Sequence, residues 1–377
     1  MTARRAFDLS VPAPNGLMRG RTTGSCATAA VKAALLQLLD GRLVSSVEIS
    51  LPDPDFYLDV PVDKVWPVKG GMARAEVIKY AGDDPDTTQG ATIFAEVRRN
   101  DSGQLRYLAA EGVGTVTAPG LRIPPGEAAI NPVPRQMMRL AVDEVLAGRP
   151  DPGFDLAIGC IDGARIARRT FNPLLGIVGG ISILGTSGIV EPMSLAAWIA
   201  SIEVYIRVAL GDSPPPAIAL TPGKIGRGFA AETLQLAKHQ VVQIANFMGD
   251  SLDHTEAILQ EQSARLDTLW VLGHPGKLAK LLDGSWDTHS SKSPMAMQGV
   301  AQFAARFGFE PEIVLQIEKA NTVENVIQIL QPDPRAQAFW QALEGHLAGL
   351  MHPRVPSVDQ LQVRLFSMDG TPLGEAA

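Results

Sequence analysis

Arg21-Thr22-Thr23-Gly24-Ser25-Cys26 places a guanidinium, three hydroxyls and a glycine directly before an alanine-rich run at residues 27–39. That run is made of good helix formers and stops at Asp40-Gly41. The first turn of a helix has unpaired N–H groups and the positive end of the dipole, so it attracts anions. Thr23 or Ser25 is the expected N-cap, and capping alone would also explain the hydroxyls. Cys26 at a helix start could be an activated thiolate, but packing is the preferred reading.

Other segments carry chemistry-bearing residues. Asp83, Asp84 and Asp86 surround Pro85, which suits a general base, a metal cluster or a solvated turn. Asn131-Pro132-Val133-Pro134-Arg135 offers an amide and a guanidinium. Between Gly176 and Pro192, Gly179-Gly180 and Thr186-Ser187-Gly188 could present backbone N–H groups to an anion, or form tight turns beside a buried strand. His289 follows Asp287-Thr288, an acid able to orient its ring.

Three loops follow expected strands in the second half: 221–228 with Gly223, Lys224 and Gly226; 246–250 with Asn246 and Asp250; and 273–277 with Gly273, His274 and Lys277. In an open α/β sheet, ligands bind at the carboxyl ends of strands. Glycines there let a ligand approach the backbone, Asp250 suits a ribose, and Lys224 and Lys277 suit carboxylates. Neither the dinucleotide G-x-G-x-x-G spacing nor a Walker loop is present.

These elements predict two domains. Residues 1–193 read as α+β, with strands at 47–51, 57–60, 73–79 and 155–160, a hairpin from 92–98 and 105–110, a helix at 135–147 and a buried strand at 177–184. Residues 194–377 read as a Rossmann-like α/β domain with a mostly parallel sheet. Its strands are expected at 217–220, 241–245, 269–272 and 361–366. Helices are expected at Leu195–Leu210, 229–238, 252–264 and 277–282, and they dominate 294–350. The net charge of −7 argues against nucleic-acid binding. No run is long and apolar enough for a membrane span, and the N-terminus lacks an apolar signal core. With two cysteines at no metal-like spacing, a cytoplasmic protein is expected.

In order, Arg19 to Ala27, Gly82 to Asp86, Glu111 to Thr117, Ala129 to Arg135, Thr170 to Met193, Gly273 to Lys277 and Asp287 to Ser290 resemble the cobalt-precorrin-5B C(1)-methyltransferases of anaerobic cobalamin synthesis. The resemblance spans roughly residues 17–300. It departs at Arg21, where an aromatic is expected, and at Ser25, where threonine is. It implies methyl transfer from S-adenosylmethionine to C1 of cobalt-precorrin-5B, giving cobalt-precorrin-6A, without a metal cofactor in the protein. On this reading the partner is an anionic, cobalt-containing tetrapyrrole, and the oligomeric state stays open. The donor would meet Gly223, Gly226, Asn246, Asp250, Gly273 and His274. The tetrapyrrole would meet Arg21, Thr22, Thr23, Ser25, Asn131, Arg135 and Lys277. Proton handling would fall to His289 and Asp84. A noncatalytic tetrapyrrole carrier and a phosphate-binding transferase are the alternatives.

Overall fold

A computed structural model describes residues 4–293 and 295–374. Contacts divide the chain into two compact units, Met1–Ser194 and Leu195–Ala377. Together they make a mixed α/β protein with several sheets, one of them parallel.

In the first unit, β1 (Arg5–Ala6) and β2 (Gly20–Arg21) precede helix α1 (Thr23–Asp40). α1 begins four residues earlier than expected, because the N-cap is Thr22 rather than Thr23 or Ser25. Thr22 is extended, and its Oγ1 accepts the Ser25 N–H at 3.1 Å. Gly41, at φ 66°, ends the helix by turning its N–H back to Gln37 O, while the Arg42 N–H reaches Leu36 O. Ala27, Ala29, Ala30, Ala33 and Ala34 are buried along α1, and their small side chains let it lie close to the strands it covers.

Strands β3 (Ser46–Ser50) and β4 (Phe56–Pro61) pair antiparallel. A second sheet contains β5 (Lys64–Val68), β6 (Met72–Ile78), β7 (Thr92–Arg99), β8 (Leu105–Ala109) and, after the short β9 (Thr115–Val116) and helix α2 (Pro132–Leu146), β10 (Phe154–Cys160). Its order is β5-β6-β7-β10-β8. The expected hairpin of β7 with β8 is therefore not formed: β10 lies between them, antiparallel to β7 and parallel to β8. Burial explains the insertion. Phe154, Leu156 and Ile158 are fully buried, which demands an interior position, whereas β8 is largely exposed and suits an edge. Asp155 fastens the arrangement by accepting from Arg98 Nη2 at 2.8 Å and Asn100 Nδ2 at 2.9 Å. In α2 the residues expected to face the core, Met138, Val142 and Val145, are buried.

Helix α3 (Gly163–Ala167) leads toward β11 (Ile177–Val178) and β12 (Ile189–Val190). The strand expected over 177–184 shrinks to β11 plus single bridges from Ile181 to Val113 and Ile183 to Ile130. Gly179, at φ 94°, bends the chain there. Gly180 then lies so close to Gly112 that a Cβ would sit 2.1 Å from its carbonyl oxygen.

The second unit opens with helix α4 (Leu195–Leu210). Its sheet contains β13 (Ala217–Thr221), β14 (Val241–Gln243), β15 (Leu266–Gly273) and β16 (Val358–Leu365), all parallel, in the order β14-β13-β15-β16. Helix α5 (Arg227–Glu232) follows β13 and ends sooner than the expected 229–238. Gln235, at φ 53°, breaks the run, and a 3₁₀ turn, Lys238–Gln240, follows. α6 (Met248–Glu261) follows β14. α7 (Pro275–Leu278) follows β15 and tightens into a 3₁₀ turn, Ala279–Asp283. Pro294 lies outside the described residues; beyond it run α8 (Met297–Phe307), α9 (Pro311–Glu318), α10 (Val323–Leu330) and α11 (Ala336–Met351).

Candidate functional site

The start of α1 is buried and bonded internally. Thr22, Thr23 and Ser25 are buried. The Gly24 N–H donates to Leu184 O and the Ser25 N–H to Thr22. Thr23 Oγ1 accepts from Leu184 N at 2.9 Å, and Ser25 Oγ donates to Gly188 O at 2.5 Å. The anion site expected here is thus replaced by internal bonds that hold segment 182–188 against the helix. These three hydroxyls are engaged within the chain. Cys26 beneath them is pushed up to about 11 by burial, so it is a thiol at neutral pH.

The remaining first-unit candidates are mostly structural. Arg21 reaches Ile78 O at 3.5 Å and lies over the Tyr80 ring. Arg135 donates to Ile130 O and Ala128 O and pairs with Glu127 at 2.7 Å, leaving little of its fork for a carboxylate ligand. Asn131 is exposed at the start of α2, where its side chain makes no cap bond. In the acidic turn, Asp83 accepts from Met18 N and Asp84 from Met193 N, at 2.7 and 2.9 Å. Asp86 pairs with the buried Lys79 and also accepts from Thr88. Burial would raise the Asp86 carboxyl, but Lys79 and Thr88 hold it below its ordinary range. This turn braces loops. Among the described residues, no group of three or more His, Cys, Asp or Glu could hold a metal ion.

The second unit is different. The strand order switches sides between β13, which is followed by β14 on one flank, and β15, which is followed by β16 on the other. In open parallel sheets generally, ligands bind beside such a switch point. Gly223 and Gly226 follow β13; Gly273 ends β15 and His274 follows it. Gly226 has φ 89°, and a Cβ there would meet Leu272 at 2.8 Å, so this loop crosses the end of β15 only as glycine.

A cavity of about 420 Å³ opens at this edge. Ile225, Phe229, Phe366 and Met368 supply its apolar wall, and Lys224, Glu232 and Asp369 its charges. Phe229 packs edge-on against Phe366, with ring centroids 5.5 Å apart. Hydrogen bonds from Ser367 and Thr371 hold the Asp369 carboxyl below its usual value, so it is ionised at neutral pH. The wall formed by Phe366 to Gly370 was missed from sequence. Its signal was the Met368-Asp369-Gly370 turn directly after the last strand.

The other second-unit candidates divide by what they already bind. His274 Nδ1 accepts from Gly276 N at 2.9 Å, capping α7, and so Nε2 carries the proton toward Glu324 Oε2, also at 2.9 Å. Both ring nitrogens are thus engaged within the chain. Glu324 also accepts from Met368 N at 3.3 Å, tying the β15 and β16 loops together. Asn246 donates to Asp287 at 2.6 Å. Asp287 in turn accepts from the His289 backbone N–H, not from its ring. His289 is exposed, and its Nδ1 lies 2.7 Å from Ser291 Oγ. Desolvation, then the Lys280 cation, lowers Lys277, whose ammonium donates to Ala245 O. Asp250 lies in the first turn of α6 with no partner for its carboxylate among the described residues.

Family comparison places the chain. Residues 11–192 match the CbiD family model, and residues 287–377 match that of the CbiD C-terminal domain. The chain belongs to the CbiD family. The cobalt-precorrin-5B C(1)-methyltransferase of Ralstonia nicotianae is 70% identical over 375 residues, covering 100% of this chain and 98% of that protein. The one from Chromobacterium violaceum is 72% identical over 374 residues, 99% of each chain. A Moorella thermoacetica protein of the same name is 42% identical over 329 residues, 87% of this chain and 86% of its own. Among solved structures, a cobalamin biosynthesis protein, CbiD, from Archaeoglobus fulgidus is 26% identical. It covers 72% of this chain and 82% of its own, with a TM-score of 0.39. No helix of the described residues is long and apolar enough to cross a membrane.

Proposed function

We propose that this chain transfers a methyl group from S-adenosylmethionine to C1 of cobalt-precorrin-5B, giving cobalt-precorrin-6A, in the cytoplasm. The observation that carries this reading is identity of 70% and 72%, over essentially the whole chain, to enzymes named for that reaction. The parallel-sheet unit would act as a reduced Rossmann-type donor domain. Its edge cavity has a size suited to a small ligand. Its lining also fits the donor's chemistry: Phe229 and Met368 for the adenine and thioether, and Asp369 and Glu232 for ribose hydroxyls or the amino group. Lys224 suits the donor's carboxylate.

When bound, the donor supplies an electrophilic methyl on a sulfonium, which departs as a neutral thioether. The chain's task is alignment of that methyl with an electron-rich carbon and exclusion of water. Gly226 permits close approach of the β13 loop, and Glu324, through His274 and Met368, fixes the loops around the cavity. His289, whose Nε2 has no partner among the described residues, would handle protons. Asp84 would act only through the loop it pins at Met193. Incubation of purified protein with cobalt-precorrin-5B and methyl-labelled donor tests the reading. Label in the tetrapyrrole is expected; a tetrapyrrole free of label would refute it.

A further inference from the structure

An acidic protein needs a local basic surface to hold a polycarboxylate. Residues 163–190 contain three arginines and no aspartate, glutamate or lysine, in a chain of formal net charge −7. Arg165 is paired with Asp162 at 2.9 Å. The guanidinium groups of Arg168 and Arg169 are exposed and have no hydrogen-bond or ion-pair partner among the described residues.

Directly after them come apolar side chains that stay partly exposed. Phe171 is 42% exposed, Leu174 41% and Val178 60%. The Leu174 N–H donates to Phe171 O at 2.9 Å, opening the 3₁₀ turn Asn172–Leu175. In such a turn side chains three apart eclipse, so Phe171 and Leu174 project on the same side. The segment is firmly braced from beneath. Asn172, only 7% exposed, donates to Gly180 O at 3.0 Å and accepts from Ser182 Oγ at 3.2 Å. Gly176 O accepts both the N–H and the hydroxyl of Thr117. Its own αL turn lies against Ala118, where a Cβ would come within 2.5 Å. Exposed apolar side chains on a segment held this tightly, with two unpaired cations just before them in sequence, suit an interaction surface.

We propose that Phe171, Leu174 and Val178 form the platform for the apolar face of the tetrapyrrole, and that Arg168 and Arg169 grip its peripheral carboxylates. This rests on the substrate reading above. A flat, conjugated ring edged by acid side chains matches an apolar shelf edged by guanidiniums, each able to bind a carboxylate bidentately. The arrangement also reconciles an anionic ligand with a net acidic enzyme: the favourable field is local.

The test uses full-length protein and cobyrinic acid, a cobalt corrinoid with free carboxylate arms, followed by calorimetry at two salt concentrations. Arg168→Ala/Arg169→Ala should weaken corrinoid binding by roughly tenfold for each arginine lost, and should flatten its salt dependence. Binding of S-adenosylhomocysteine and the thermal midpoint should stay as in wild type, and Arg165→Ala should change corrinoid affinity less than about twofold, as for a surface pair. Equal corrinoid affinity in wild type and the double variant would overturn the proposal while leaving the methyltransferase reading intact. Wild type that neither binds the corrinoid nor labels cobalt-precorrin-5B would defeat both. A dimer broken by Phe171→Ser/Leu174→Ser with corrinoid binding unchanged would assign the patch to a second copy of the chain and overturn the proposal as well.

Discussion

The start of α1 and the carboxyl edge of the parallel sheet are both rich in glycine and polar residues, yet they use them in opposite ways. At α1, threonine and serine hydroxyls and early N–H groups are joined to backbone groups of Leu184 and Gly188. At the sheet edge, the loops leave Lys224, Glu232 and Asp369 lining an open cavity. Dense polar text therefore marks two different things: backbone segments locked together in the first unit, and a surface left available in the second. The distinction depends on whether the polar atoms are already paired, which residue type alone does not reveal.

The sharpest way to break this contrast is to add side chains where backbones touch. Gly180→Val would drive a Cβ to within 2.1 Å of Gly112 O, and the first unit should fail to fold, read as loss of soluble protein. A soluble variant with an unchanged melting midpoint would show that the close approach is dispensable. Asp86→Ala comes next. It strands Lys79, whose side chain is only 1% exposed, and should cost about 3–5 kcal/mol in denaturant unfolding. The pH dependence has a definite sign. Because the folded Asp86 carboxyl is depressed, its contribution is present above the ordinary value of 3.8 and lost as pH falls below it. Asp86→Asn should therefore flatten the acid limb of a stability–pH curve.

At the sheet edge the signature should be loss of binding without loss of fold. Asp369→Asn should weaken S-adenosylhomocysteine binding by roughly tenfold in calorimetry, with the midpoint unmoved. A variant that lost stability instead would place Asp369 among the braces. The smallest effect belongs to Thr22→Ala, expected to lower stability by about 1 kcal/mol through loss of the cap, with donor affinity unchanged. Thr22→Ser should restore most of it.

Much of the local structure was legible. α4 coincides with the expected Leu195–Leu210, and the core-facing side of α2 followed from its periodicity. The β7–β8 hairpin was misread because turn residues at 100–103 report only local geometry, while the intervening β10 arrives from fifty residues later. The hydroxyls before α1 were misread for a related reason: their partners, Leu184 and Gly188, lie some 160 residues away. Three strand-end loops could be recognised from glycine and apolar runs. The fourth, Phe366–Gly370, could not be assigned to the same edge, since parallel pairing of β16 with β15 leaves no short-range mark.

The most direct test is a crystal structure of the protein with S-adenosylhomocysteine. The account predicts the ligand between residues 224–232 and 366–370, with Asp369 within hydrogen-bond distance of it and the start of α1 unchanged. Ligand density on Thr22, Thr23 and Ser25, with the sheet edge empty, would contradict it.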